Sequence, residues 1–169
     1  MAERFEITVN ETSYAVEVEP DTPLLYVLIN DLRLKGPRFG CGLAQCGSCS
    51  VLLDDAEVRA CVTPISAVRQ RAITTLEGLP EWYAKRHGLD QAPDLHPVQQ
   101  AMIDEQAIQC GYCFNGMMIK ASELLESNAR PSAQEIKAAM NGHLCRCGTY
   151  PRIVKAVQAA ARRMAGEPA

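Results

Sequence analysis

Residues 41–61 read CGLAQCGSCSVLLDDAEVRAC. Cys41, Cys46 and Cys49 fall within one glycine-rich stretch, and Cys61 follows after two short apolar runs. CSVLLDD and EVRAC read as a hairpin turning at Asp54–Asp55–Ala56. Upstream, RFEITV (4–9) and SYAVEV (13–18) alternate apolar and polar residues around a turn-like NET (10–12), which predicts another hairpin. PDTPLLYVLINDL between the hairpins reads as a helix with Asp21 or Thr22 as N-cap and Pro23 in its first turn. AITTLEGL (72–79) reads as a closing strand. The first half is therefore strands with one helix.

The spacing C-x4-C-x2-C followed by a distant cysteine is the plant-type ferredoxin pattern for one [2Fe–2S] cluster. A tight loop supplies three thiolates and a neighbouring element the fourth. Gly40, Gly42 and Gly47 let backbone amides approach the sulfurs and stabilise their negative charge. Zinc and disulfides are the alternatives. Zinc sites favour paired knuckles over this spacing, and disulfides are rare in the cytoplasm.

The remaining cysteines lie in the second half: Cys110 and Cys113 as C-x2-C, Cys145 and Cys147 as C-x-C. Four helical patterns surround them: HPVQQAMIDEQA, GMMIKASELLES, SAQEIKAAMNG and RIVKAVQAAARRM. They imply a compact bundle. Ser132 and Glu135 resemble a capping box, and Gly142 suits a helix end. Met102, Met117, Met118 and Met140 read as core filler. Taken alone, this second set fits a four-cysteine zinc site as well as a second cluster; the first set tips the balance toward a cluster. LPEWYAKRHGLDQAPDLHP (79–97) carries three prolines and no clear period, and reads as a linker with one helical turn.

Composition narrows the classes. A net charge of −3 argues against nucleic acid as partner. No apolar run approaches the roughly 20 residues of a membrane span. The N-terminus alternates like a strand, unlike a signal peptide, so the expected compartment is the cytoplasm, with any membrane association made through partner subunits. No phosphate-binding loop, nucleophile–base pair or catalytic carboxylate pair is evident, so no catalytic residue is assigned.

The segments CGLAQCGSCSVLLDD (41–55), TLEGL (75–79), LHPVQQAMIDEQAIQCGYC (95–113) and GHLCRCGTYPRIVKAV (142–157) resemble, in order and spacing, the small iron–sulfur subunit of the molybdenum hydroxylases, relatives of xanthine dehydrogenase and aldehyde oxidase. The resemblance runs over about residues 3–162. It implies an α+β chain: a β-grasp plant-type ferredoxin domain (1–78), a linker (79–95) and a C-terminal four-helix bundle (96–169), with one [2Fe–2S] cluster in each domain. It implies that Cys41, Cys46, Cys49 and Cys61 hold one cluster and that Cys110, Cys113, Cys145 and Cys147 hold the other. Gln109 matches a glutamine that contacts the pterin of the molybdenum cofactor, and Cys147 the ligand nearest it. The implied partners are a large subunit holding that cofactor, as molybdopterin cytosine dinucleotide, and an electron acceptor, either a cytochrome c or an FAD protein. A free-standing ferredoxin-like carrier is the alternative.

Two departures stand out. Many relatives have Thr-Pro-Gly after CGYC; here Phe114-Asn115-Gly116 follows, with Asn115 able to cap a helix. CRCGTY in place of CRCTGY looks like the branch acting on isoquinoline, nicotinate or aldehydes. Trp82 and Tyr83 are expected either to anchor a partner or to tether the linker. His87, His96 and His143 show no ligand spacing, and Arg146 and Arg152 are expected to offset cluster charge.

Overall fold

The computed structural model describes residues 1–167. Strands β1 (Glu3–Val9) and β2 (Thr12–Val18) pair antiparallel across Asn10 and Glu11, whose φ angles of 49° and 64° give the two-residue turn that matches strand twist. Phe5, Ile7 and Val9 of β1 point inward and are buried, as the alternation predicts. Strands β3 (Ser50–Leu53) and β4 (Ala56–Arg59) turn at Asp54 and Asp55, again with positive φ. Strand β5 (Ala72–Thr74) pairs parallel with β1 and antiparallel with β3. The order β2-β1-β5-β3-β4 is the mixed sheet of a β-grasp domain. The predicted strand 72–79 is shorter than expected: Leu76–Gly78 form a 3-10 turn.

Helix α1 (Leu24–Tyr26) continues as a π-helical turn, Val27–Asp31, and covers one face of the sheet. Leu24, Leu25, Val27 and Leu28 are fully buried against it. Neither Asp21 nor Thr22 caps this helix; Pro23 holds the N-cap position without a side-chain bond. Its first amides are satisfied at long range instead, Leu24 by the Thr63 carbonyl at 2.8 Å and Leu25 by that of Ala60 at 3.0 Å.

The stretch read as a linker holds a nine-residue helix, α2 (Leu79–His87), ended by Gly88 in the left-handed conformation. Trp82 is buried and donates from Nε1 to Asp55 Oδ1 at 2.6 Å. Arg86 reaches the other oxygen of Asp55 at 2.7 Å and lies over the Trp82 ring. Trp82 therefore staples α2 to the β3–β4 turn and is not a surface anchor for a partner.

Four helices follow, α3 (Pro97–Asp104), α4 (Phe114–Ser127), α5 (Ala133–Ala139) and α6 (Tyr150–Met164). Both capping boxes are formed, Ser132 with Glu135 and His96 with Gln99. Met102, Met117, Met118 and Met140 lie in the helical core. Strand β3 is buried on both faces because α4 packs on one side of it and α1 on the other. Leu52 joins the helical core, whereas Val51 and Leu53 join the sheet core. No helix among the described residues is long and apolar enough to cross a membrane.

Candidate metal centres

The loop before β3 is wound by positive φ at Gly42, Ala44 and Gly47, with values of 68°, 58° and 78°. This turns successive amides toward one sulfur: Leu43, Gln45 and Cys46 donate to Cys41 Sγ at 3.3, 3.2 and 3.3 Å. Cys41 N–H donates to Cys46 Sγ at 3.4 Å. A Cβ on Gly40 would sit 2.5 Å from Cys46 Sγ, so only glycine permits this approach. The amides, that of Leu43 foremost, draw the Cys41 thiol down to about 7. Cys49, deeper and facing Cys61, is pushed up by burial to about 12.

The second set assembles where the loop before α4 meets the loop before α6. Cys110 faces Cys147, and the Tyr112 amide followed by the Cys147 thiol lowers its pKa. Cys113 faces Cys145 and is pushed up by burial to about 12. Burial also pushes Cys145 up, but the Thr149 hydroxyl and amide outweigh it and bring the thiol down to about 7. Thr149, buried and 3.5 Å from Cys145 Sγ, carries no signal in the sequence that marks it for this role. Cys110 is exposed, so this set opens to the surface more than a bundle interior would. Beside it lie exposed Gln109, Ile108, Tyr112 and Leu144.

All eight cysteines are free thiols, and they meet in twos: Cys41 with Cys46, Cys49 with Cys61, Cys110 with Cys147, Cys113 with Cys145. Among the described residues, no three Cys, His, Asp or Glu side chains converge as ligands of a single ion. Two pairs per site suit a [2Fe–2S] group, in which each iron takes two protein ligands. Burial raises the Cys49 and Cys113 thiols, and a metal bound at either set would deprotonate them with its other ligands. The residues present fit the group.

The two cysteine loops touch. Leu144 N–H donates to the Cys46 carbonyl at 3.0 Å, and the Tyr112 hydroxyl donates to the Phe39 carbonyl. His143, which shows no ligand spacing in the sequence, is buried against Gly47 with Nε2 3.0 Å from Glu57 and 2.9 Å from Arg59. Burial pushes the Glu57 carboxyl up; His143 and Ser50 hydrogen bonds and the Arg59 charge more than offset it and leave its pKa below the ordinary carboxylate range. Asn115 does not cap α4. Its side chain crosses to the first domain and donates to the Ser48 and Ser50 carbonyls. Arg152 is engaged with the Gln106 carbonyl at 2.9 Å.

Each half of the chain matches a sequence family of its own: residues 7–74 a 2Fe-2S iron-sulfur cluster binding domain, and residues 84–158 a [2Fe-2S] binding domain. Fold and thiol arrangement thus define a two-domain iron–sulfur protein. The chain is 48% identical to one of the subunits of nicotinate dehydrogenase from Pseudomonas putida, over 95% of this chain and 96% of that protein. It superposes on quinoline 2-oxidoreductase of Pseudomonas putida 86 with a TM-score of 0.85 at 33% identity, covering 99% of both chains. On the aldehyde oxidoreductase of Desulfovibrio desulfuricans the TM-score is 0.86 at 37% identity, over 98% of this chain but 17% of that one. The chain belongs to the small iron–sulfur subunits of the molybdenum hydroxylase family, and is the electron-transfer subunit of an oxidoreductase.

Proposed function

We propose that this chain relays electrons from the molybdenum centre of a large subunit to an external acceptor, a cytochrome or a flavin subunit, during oxidation of an aldehyde or N-heterocycle. Cys41, Cys46, Cys49 and Cys61 in residues 1–78 would hold one [2Fe–2S] cluster, and Cys110, Cys113, Cys145 and Cys147 in residues 96–169 the other. Each cluster stores one electron, so two of them match a two-electron oxidation to an acceptor that takes electrons singly. The observation that carries the reading is the thiol arrangement: two sets of two pairs, one per domain, in loops joined by the Leu144–Cys46 hydrogen bond.

The chain's own residues divide the work. Backbone amides around Cys41 and the Thr149 hydroxyl at Cys145 stabilise sulfur charge. Gln109 and Cys147 would face the pterin of the molybdenum cofactor. Cys110, Ile108, Tyr112 and Leu144 form an exposed, partly apolar face beside Gln109. Such a face suits burial against the large subunit; a freely diffusing carrier has no use for it. The length of the aldehyde oxidoreductase supports a large partner, because this chain corresponds to a small part of it. Metal and labile-sulfide analysis tests the reading. Four irons and four sulfides per chain are expected; about one zinc with only two irons would replace the second cluster with a zinc module.

A further inference from the structure

We infer that Asn115 is a positioning residue that holds Cys49, through the carbonyls of its two neighbours Ser48 and Ser50, at a fixed place relative to Cys113; the inference rests on the two-cluster reading above. Asn115 stands in the first turn of α4, two residues beyond Cys113, and is only 2% exposed. Its Nδ2 donates to the Ser48 carbonyl at 2.9 Å and to the Ser50 carbonyl at 2.8 Å. Those carbonyls bracket Cys49, so both amide hydrogens are committed to one cysteine's neighbours. The same segment is tied from its own side, where the Ser50 amide and hydroxyl reach the Gly47 carbonyl at 3.0 and 2.7 Å.

The clamp depends on close approach. Gly116 follows Asn115, and a Cβ there would run into the Gly47 carbonyl. Only because the helix start lies this near the first cysteine loop can a side chain as short as asparagine span the gap. At the other end of the amide, Oδ1 is buried and accepts from no protein group among the described residues.

Cys49 faces Cys61, and Cys113 faces Cys145. The clamp therefore connects one thiol pair of each set across the domain boundary. Electron tunnelling falls steeply with separation, and a relay gains from holding that separation constant. Leu144 and Tyr112 bridge the same two loops, but their hydrogen bonds go to Cys46 and Phe39, not to the neighbours of Cys49.

The test is Asn115→Asp in the assembled complex, which keeps the shape and turns both donors into acceptors facing carbonyls. Iron and sulfide content should match wild type. Electron paramagnetic resonance should show altered g-values for the reduced Cys41/Cys46/Cys49/Cys61 cluster, unaltered values for the other, and a weaker magnetic interaction between them. Amide exchange over residues 47–52, read by mass spectrometry, should accelerate. A merely structural role would lower the unfolding midpoint without moving these resonances. Unchanged resonances and unchanged exchange at full iron content overturn the inference. If the aspartate variant does not assemble, Asn115→Ala carries the same readouts; loss of the first cluster alone supports the clamp, and loss of the second alone overturns it. A wild-type chain with only two irons overturns the two-cluster reading instead, and the exchange measurement then decides the clamp by itself.

Discussion

Gly116→Ala should destabilise this protein although alanine is the better helix residue. Gly116 lies in the first turn of α4, where replacing glycine by alanine ordinarily gains about 0.5–1 kcal/mol. Here the added Cβ would lie 2.7 Å from the Gly47 carbonyl carbon and closer still to its oxygen. Ordinary carbon–carbon contact is about 3.5–4.0 Å, so the helix or the cysteine loop must move by about 1 Å. The obstacle is backbone, held by the Ser50 amide and hydroxyl, and it cannot rotate away as a side chain can. Overpacking of this kind costs about 1–3 kcal/mol. Taking the upper figure against the helix gain leaves a net loss of about 2 kcal/mol. For a chain of this length each kcal/mol shifts Tm by about 2–4 °C, so a fall of about 4–8 °C is expected. Thermal unfolding of the holo chain, followed by circular dichroism at one scan rate, reads it. An unchanged or raised Tm would refute the close approach of the two domains.

Two further outcomes follow from other residues. Gln109→Ala should slow reduction by substrate about tenfold, the worth of one hydrogen bond at the reacting side, while iron and sulfide content stay at the wild-type level; loss of a cluster in this variant would assign Gln109 to assembly instead. His96, fully buried and capping α3 through Nδ1, is pushed by burial from 6.5 down to about 4. The unfolded chain then binds the proton more readily, so stability is whole above pH 6.5 and falls as pH drops toward 4, by about 3 kcal/mol in all. Urea titrations across that window should show the loss, and His96→Asn, which keeps a capping side chain, should flatten it.

Much of this is legible in the sequence because it is local. Cysteine spacing, strand alternation around Asn10–Glu11, the hairpin turn at Asp54–Asp55, and the Ser132–Glu135 box each lie within a few residues. Helix α2 escapes such a reading because only Leu79, Pro80, Trp82 and Ala84 of its nine residues are buried, too few to set a clear period beside three prolines. The partners of Trp82, His143 and Asn115 escape it for a different reason. Asp55, Glu57 and Ser48 lie 27, 86 and 67 residues away, and nothing local marks them. Asn115 resembles a cap in sequence; the gap left by Gly116 sends it across the domain boundary instead. The caps of α1 come likewise from distant carbonyls, which no local pattern announces.

We propose that electrons enter through the cluster at Cys110, Cys113, Cys145 and Cys147, beside Gln109, and leave through the cluster at Cys41, Cys46, Cys49 and Cys61; this order is tested most directly with Cys49→Ser in the native complex, both domains remaining folded. Substrate is added, the sample is frozen rapidly, and paramagnetic resonance reads each cluster. The proposed order predicts that the cluster at Cys110, Cys113, Cys145 and Cys147 is still reduced by substrate, while turnover with the natural acceptor collapses. Failure of substrate to reduce that cluster, with its iron intact, would contradict that order.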